Sequence, residues 1–470
     1  MIKRNARIAA LIMAVLMLSS AAACGKKDTS SDSSDDVEIE YVYQSGDSSG
    51  SASGTGDSAS GDKANNSSSG SKKNNSKTVN DGINPEDYRG TTVRYATWRD
   101  PKLYEDGPVV EAFQKKYGIK VQVDLIPQTE YLQTLTSRIA SGDASDVVFC
   151  TDKFPEIISV MQPIDAAKLN LNESIWDQGT INLTSVNGKK YLVNTVGNIW
   201  NEVDCLYFNK KLLEENNITT PAEYYKAGKW TFDAMTKVMQ EVSALGTQYV
   251  GGCINLEGLL GSTGSAFYKF ENGQFKNGTD SKFNDVMRYV STNVKNGLIK
   301  GLTVTEVATN FPTGKYGIAI THAFGLKSTG AFRKMNPSDI GFTYLPAWDA
   351  NSKVQTTSLV RGWGLCTGAK NPVAAGIFMR YYTDVDNYNS SSAFLNSEAE
   401  SFFFKLTAAD TTNRTYYFLT SISSLTGSTA LDYFYIPKED PNQVATKIAS
   451  LQNSINANVA KANEFLSNKK

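Results

Sequence analysis

The sequence predicts an α/β fold of two lobes, the first built on a parallel sheet with helices on both faces. Three observations carry this. Between Thr91 and Cys150 the apolar pattern switches from period two to helical spacing and back, reading β-α-β-α-β within about 60 residues. Strands joined by helical crossovers run parallel, because the crossover carries the chain back to the same end of the sheet. Leaving aside an apolar head and a polar tether, about 385 of the 470 residues remain, enough for two cores. Further on, Asp204–Val242 reads as strand, helix, loop and capped helix.

Lys3, Arg4 and Arg7 precede an apolar run, Ile8–Leu18, and the small residues Ser19–Ala23 lead to Cys24. A membrane-spanning helix needs about 20 apolar residues. This run is shorter, so residues 1–23 read as a secretory signal. Ala21-Ala22-Ala23-Cys24 resembles a bacterial lipobox. That resemblance implies a lipidated Cys24 and an anchor on the extracytoplasmic face of the cell membrane; the alternative is ordinary cleavage near Ala23. Residues 25–84 are dominated by Ser, Gly, Asp, Asn and Lys. They bury too little apolar surface to offset chain ordering and read as a flexible tether. Within it, Val37–Tyr43 alternates apolar and acidic residues like a lone strand.

The formal charge of −1 supplies no basic field for nucleic acid or an anionic membrane surface. His322 is the single histidine, which argues against a His-rich zinc site and against catalysis by a His-based triad, while carboxylate chemistry stays open. No cofactor or metal is expected. Cys150, Cys205, Cys253 and Cys366 lack redox or metal spacing, which favours buried free thiols over a disulfide. The 23 Tyr, 21 Phe and 6 Trp are mostly core material, and also what carbohydrate sites draw on.

Taken in order, Thr91–Ala96 is a strand, with Val93 and Tyr95 alternating against polar neighbours. Pro108 suits a first helical turn, where its missing N–H costs nothing, and Val109, Val110, Phe113 and Tyr117 follow at helical spacing. Ile119–Ile126 is a second strand, Glu130–Ser141 a helix with Gly142 as its cap, and Asp146–Cys150 a third strand. Asn187-Gly188 signals a type I′ hairpin turn. Cys205–Phe208 is a short buried strand and Lys210–Asn216 a helix, beyond which Pro221 forbids continuation. Thr231 caps the next helix, with Trp230 and Met235 at the positions of a hydrophobic staple. Ile318–Ile320 and Gly364–Gly368 are later strands, and Ile340–Pro346 reads as a strand returning toward the first lobe. Ile448–Phe465 carries apolar residues at helical intervals, a terminal helix. No short-period repeat is present.

Several stretches together resemble family 1 extracellular solute-binding proteins, the receptors of bacterial ABC importers. They are Ser141-Gly142-Asp143-Ala144-Ser145-Asp146-Val147-Val148, Asn187-Gly188-Lys189-Lys190-Tyr191-Leu192-Val193 and Leu206-Tyr207-Phe208-Asn209-Lys210. Trp230-Thr231-Phe232-Asp233, Gly314–Ile320 and Ala369-Lys370-Asn371-Pro372 continue the series. Their order covers most of residues 90–385. The resemblance implies a two-lobe periplasmic-binding-protein-like fold, each lobe a mostly parallel sheet flanked by helices and joined by crossing strands. It places the domain at 85–470. The first lobe takes about 90–200 and a later segment near 340–400; the second takes 205–335 and the C-terminal helices. It also implies a monomeric, non-catalytic receptor that closes on a mono- or oligosaccharide and delivers it to ABC permease subunits.

Ligands of parallel sheets sit beyond the carboxyl ends of the strands. A sugar needs aromatic faces for its C–H surfaces and planar polar groups for its hydroxyls. Trp98 and Arg99 follow the first strand, with Trp98 divided between cleft and core packing. Asp152 follows the third; sugar-binding relatives place an Asp here, and the alternative is a cap for the helix near Pro155. Trp200 and Glu202 precede the first crossing. Phe324 offers an aromatic platform from the second lobe, while His322 reads as structural. Arg361 and Trp363 border the strand after the second crossing, Trp363 as a stacking candidate. On this reading, replacing Trp98 or Trp363 weakens binding more than stability. A tethered glycan-degrading enzyme would share the head, tether and aromatics, but needs two carboxylates about 5–9.5 Å apart. A surface sensor or adhesion protein on the same scaffold is the other alternative.

Overall fold

The computed structural model describes residues 82–103, 106–198, 203–328, 330–384, 387, 394–407, 414–428 and 430–469. The signal, Cys24, almost all of the tether including 37–43, Trp200 and Glu202 lie outside the described residues. Thirteen strands follow in chain order among those described. They are β1 (Thr92–Thr97), β2 (Lys120–Leu125), β3 (Val147–Cys150), β4 (Met161–Gln162), β5 (Asp204–Asn209), β6 (Val250–Ile254) and β7 (Tyr268–Glu271). After them come β8 (Gln274–Asn277), β9 (Tyr316–His322), β10 (Ile340–Thr343), β11 (Thr356–Leu359), β12 (Gly362–Cys366) and β13 (Arg414–Tyr417).

The first sheet has the order β2-β1-β3-β12-β4 and the second β10-β5-β9-β6. In each, every strand but one runs the same way. The exception is β12 in the first sheet, antiparallel to β3 and β4, and β5 in the second, antiparallel to β10 and β9. Each exception is the strand by which the chain enters that lobe from the other. The register follows from this: Gly362 at the start of β12 lies opposite Cys150 at the end of β3, and Asp204 at the start of β5 lies opposite His322 at the end of β9. Both sheets therefore turn their carboxyl ends toward the crossings. There Val203 bridges Ser358 of β11, and β13 pairs alongside β11.

The first sheet is sandwiched as its alternation demands. Val93, Tyr95, Val147 and Phe149 pack against helices Asp106–Tyr117 and Pro372–Tyr382, while Ala96, Val148 and Cys150 face helix Tyr131–Ala140 and the 3-10 turn Glu156–Val160. Asp146 explains much of the 141–148 motif. Its carboxylate accepts backbone N–H groups from Arg94 at 2.9 Å, Lys370 at 2.8 Å and Asn371 at 2.9 Å, tying β1 to the turn that opens helix Pro372–Tyr382. Asn187 and Gly188 both have positive φ, 52° and 75°, as the type I′ turn requires.

In the second lobe Thr231 accepts the Ala234 N–H at 3.3 Å, and Trp230 and Met235 are both buried in the staple arrangement. The Trp230 indole also donates to the Tyr344 carbonyl at 3.0 Å. Pro221 does more than stop a helix: it occupies the first turn of Pro221–Lys226, whose capping box joins Thr220 and Glu223.

Three boundaries differ from the sequence reading. β10 pairs with β5, so the strand at 340 belongs to the second lobe and not to a return toward the first. Helix Ser397–Thr407 also packs there, with Phe403 against the cluster of Val203, Cys205 and Tyr207. Of the later segment, β12 and helix Pro372–Tyr382 join the first lobe. The terminal helix is broken at Leu451 into Val444–Ser450 and Gln452–Ser467, and Leu466, not Phe465, makes the last core contact.

Beyond the crossings the lobes also meet through aromatic packing. Phe154 of the first lobe lies 5.8 Å from Phe270 and 5.9 Å from Phe275 on the β7–β8 hairpin, and 6.2 Å from Phe418. Lys469, just past the terminal helix, donates to the Met161 carbonyl at 2.7 Å. All four described cysteines are buried free thiols, and burial pushes Cys150 and Cys366 up to about 12.

Candidate functional site

The site is built where β1 and β3 end and β12 begins, facing the ends of β9 and β6 and the start of β5. On the first lobe, Trp98 is half-buried. Tyr131 meets it edge-on at 4.8 Å, and Phe149 is tilted against it at 4.9 Å. Tyr131 is fixed in turn, its hydroxyl donating to the Ala96 carbonyl at 2.7 Å and accepting the Phe149 N–H at 3.0 Å. Trp98 thus keeps a partly open face on a rigid support. Arg99 follows it, its N–H donating to the Thr97 hydroxyl at 3.1 Å.

Asp152 follows β3. One carboxylate oxygen accepts from the Gln128 amide at 3.0 Å and lies 3.6 Å from the Lys153 ammonium. The other, Oδ1, is buried without a hydrogen bond to any of the described residues. The capping alternative does not describe it, because the Glu156–Val160 turn receives no side-chain cap. A buried carboxylate oxygen held by its twin and lacking a donor is suited to a ligand hydroxyl.

Trp363 is placed differently from the sequence expectation. It is 1% exposed, inside the first-lobe core, with its indole N–H donating to the Tyr95 hydroxyl at 3.0 Å and its ring 5.1 Å from Phe149. The reason is alternation: Trp363 and Leu365 point to the face that helices Asp106–Tyr117 and Pro372–Tyr382 cover. It supports the site and offers no stacking face. Arg361 is also buried, its guanidinium carbon 5.3 Å from the Phe149 ring and 5.0 Å from Trp363. Trp98, Phe149, Trp363 and Arg361 therefore form one packed series.

On the second lobe Phe324 is half-buried in the 3-10 turn Ala323–Leu326 that follows β9. His322, at the strand end, belongs to a buried polar network centred on Asp204. Asp204 Oδ1 lies 3.2 Å from His322 Nδ1 and accepts from the Asn255 amide at 3.1 Å; its Oδ2 accepts from the Thr357 hydroxyl at 3.0 Å. The Tyr417 hydroxyl lies 3.4 Å from His322 Nδ1 and 3.5 Å from Asn255 Nδ2. Glu257 sits beside them, 7% exposed, accepting the Leu419 N–H at 3.0 Å. Burial, reinforced by the Asp204 charge and opposed by the Leu419 N–H and His322, pushes its carboxyl up to about 8.

Sequence reasoning missed Asn255, Glu257, Arg414, Tyr416 and Tyr417. Asn255 and Glu257 follow β6, so the strand-end rule that found Asp152 would have flagged them. The Tyr416-Tyr417 pair carried no local signal. On β13, the buried Tyr416 hydroxyl faces the Arg414 guanidinium, and neither that hydroxyl nor the Arg414 Nε and Nη2 finds a well-formed hydrogen bond elsewhere among the described residues. Among the described residues no group of three His, Cys, Asp or Glu is placed to hold a metal, and no helix is long and apolar enough to cross a membrane.

The fold has known counterparts. A solute-binding protein from Staphylococcus aureus in complex with maltose superposes with a TM-score of 0.58 at 15% identity, over 79% of this chain and 98% of that one. The cyclic α-maltosyl-1,6-maltose binding protein of Arthrobacter globiformis gives 0.58 at 13% identity, over 80% and 99%. Maltose-bound MalE3 of T. maritima gives 0.55 at 16% identity, over 80% and 99%. These likenesses show the two-lobe periplasmic-binding-protein-like fold. Among curated sequences no relative matches. Residues 95–388, more than half of the chain, match the family described as bacterial extracellular solute-binding protein. The chain is a member of the bacterial extracellular solute-binding proteins.

Proposed function

We propose that the protein is a lipid-anchored, non-catalytic receptor that captures a mono- or oligosaccharide between its lobes and delivers it to an ABC permease. The observation that carries the reading is Asp152 Oδ1, buried with no hydrogen-bond partner among the described residues, at the same carboxyl end of the first sheet as the half-buried Trp98. An aromatic face next to a hydroxyl-accepting carboxylate is the chemistry of sugar recognition. Phe324 and the polar groups at the end of β9 face it from the other lobe. A solute touching both lobes stabilises the closed arrangement selectively, which is closure by population shift. The maltose held by structurally similar proteins supports the sugar class. Cys24 and the polar residues behind it support a lipid anchor with a long tether on the extracytoplasmic face. Trp200 and Glu202, which precede the first crossing in the sequence, are further candidates for the proposed site.

A thermal-shift panel of sugars, oligosaccharides, amino acids and polyamines tests this, since a ligand bound only by the folded form raises the melting temperature. A shift with one glycan that is recovered uncut is the expected result. A cut glycan would establish an enzyme instead, and no shift with any sugar would remove the sugar reading. Palmitate labelling that is lost in Cys24→Ala tests the anchor.

A further inference from the structure

Asp204, Asn255 and Glu257 link β5, β9 and β11 and reach β13 and the residues just beyond it. Asp204 stands at the first crossing and binds Thr357 on the second. Asn255, bonded to Asp204, reaches Tyr417 on β13, the strand flanking the second crossing. Glu257 accepts the N–H of Leu419, two residues beyond Tyr417. The helix that carries Glu257, Leu256–Gly261, lies on these strands through two glycines. A β-carbon at Gly258 would stand 2.7 Å from the Asp204 carboxyl carbon, and one at Gly261 2.5 Å from the Thr357 methyl. At these two points the helix backbone rests directly on the Asp204 and Thr357 side chains of the crossing strands, so a displacement of the helix by a charge on Glu257 acts directly on them.

We propose that the Asp204–Glu257–His322 cluster is a proton-operated lock on the crossing, firm while Glu257 carries its proton and loosened when it gives it up. The inference rests on the two-lobe receptor reading and adds to it a control of lobe motion that does not touch the solute. The ionisable groups facing Glu257 are Asp204 on β5, His322 on β9 and Tyr417 on β13. Tyr417 is held far above the usual tyrosine range, by burial first and then by the Asp204 and Glu257 charges, and stays neutral. His322 is the counter-charge when protonated. Once Glu257 ionises, two carboxylates share a dry site and helix Leu256–Gly261 is pushed from the crossing. Burial places this event near neutral pH, at about 8. These residues position the strands and are not solute ligands.

Hydrogen exchange by mass spectrometry on the full chain, without any solute, reads this out. Between pH 6 and 9 the amides of Val203–Asp204, β11 and β13 should exchange about tenfold faster than base catalysis alone accounts for, a local opening, while β1 and β2 follow the base-catalysed slope. In Glu257→Gln the excess should vanish. In Asp204→Asn it should move to lower pH and shrink, because the charge that raises the Glu257 carboxyl and repels a second anion is gone while the amide still bonds Thr357 or Asn255. Crossing amides that follow the same slope as β1 in the unmodified chain would overturn the lock, as would an excess that survives Glu257→Gln. Since no solute is present, failure here leaves the receptor reading standing, and absence of sugar binding leaves this test intact.

Discussion

The Thr357 hydroxyl donates to the Asp204 carboxylate at 3.0 Å, a side-chain bond that joins the two crossing strands beside their Val203–Ser358 backbone bridge. The acceptor is ionic and fully enclosed, so the bond is stronger than a surface hydroxyl contact. Thr357→Val keeps the shape, including the methyl that packs on Gly261, and removes only the donor. It should destabilise the domain by about 1–3 kcal/mol, since a buried carboxylate oxygen loses a partner. The midpoint of urea unfolding checks this; an unchanged midpoint would mean that Asn255 and His322 satisfy Asp204 alone.

The two tryptophans of the first lobe should separate cleanly. Trp363→Ala empties a core position next to Tyr95, Phe149 and Tyr382 and should cost about 3–5 kcal/mol. Trp98→Ala removes a half-exposed ring, with a smaller loss of stability and a larger loss of sugar affinity. Calorimetric melting together with titration of the glycan found by screening measures both. Equal effects in the two variants would contradict the placement of Trp363 behind the site and Trp98 on it.

Asp152→Ala should be tolerated by the fold, because one of its oxygens has no partner among the described residues to lose and the Gln128 contact is replaceable by water. Its affinity for the same glycan should fall at least about tenfold, the effect of losing one charge-assisted hydrogen bond. Isothermal titration gives the number, and wild-type affinity in this variant would take Asp152 out of the site.

How much of this was legible before the structure depended on whether a residue's role was local. Thr231 and Trp230 could be read because a cap and a staple need only neighbours within a turn. Asn187-Gly188 could be read because two positive φ angles demand those residue types. Asp152 was reachable from the rule for strand ends. Trp363 was not, because which face of β12 is covered depends on helices some 250 residues upstream and 10 downstream in the sequence, a tertiary fact. β10 was assigned to the first lobe for the same reason, since a short apolar strand does not declare its partner. The Asp204 network was invisible: Asn255, His322, Thr357 and Tyr417 come from four separate segments, and nothing in any one of them announces the carboxylate they share.

Glu257 gives the stability of the protein a pH dependence whose sign follows from its environment. In the unfolded chain the carboxyl titrates near its ordinary value of 4.5, whereas in the folded protein burial raises it to about 8. Below 4.5 both forms hold the proton, and Glu257 adds no pH dependence. Between 4.5 and 8 the unfolded chain has released the proton while the folded protein retains it, so each unit of rising pH removes up to about 1.4 kcal/mol of stability through this group. Above 8 both are ionised and the loss levels off. Gln does not titrate and can still accept the Leu419 N–H, so Glu257→Gln should approach or fall below the wild type in stability at pH 5 and gain on it steadily up to pH 8. Urea midpoints of both proteins at pH 5, 6.5, 8 and 9 trace the difference. Parallel curves over that range would show that Glu257 ionises without cost and that its burial against Asp204 does not control its proton.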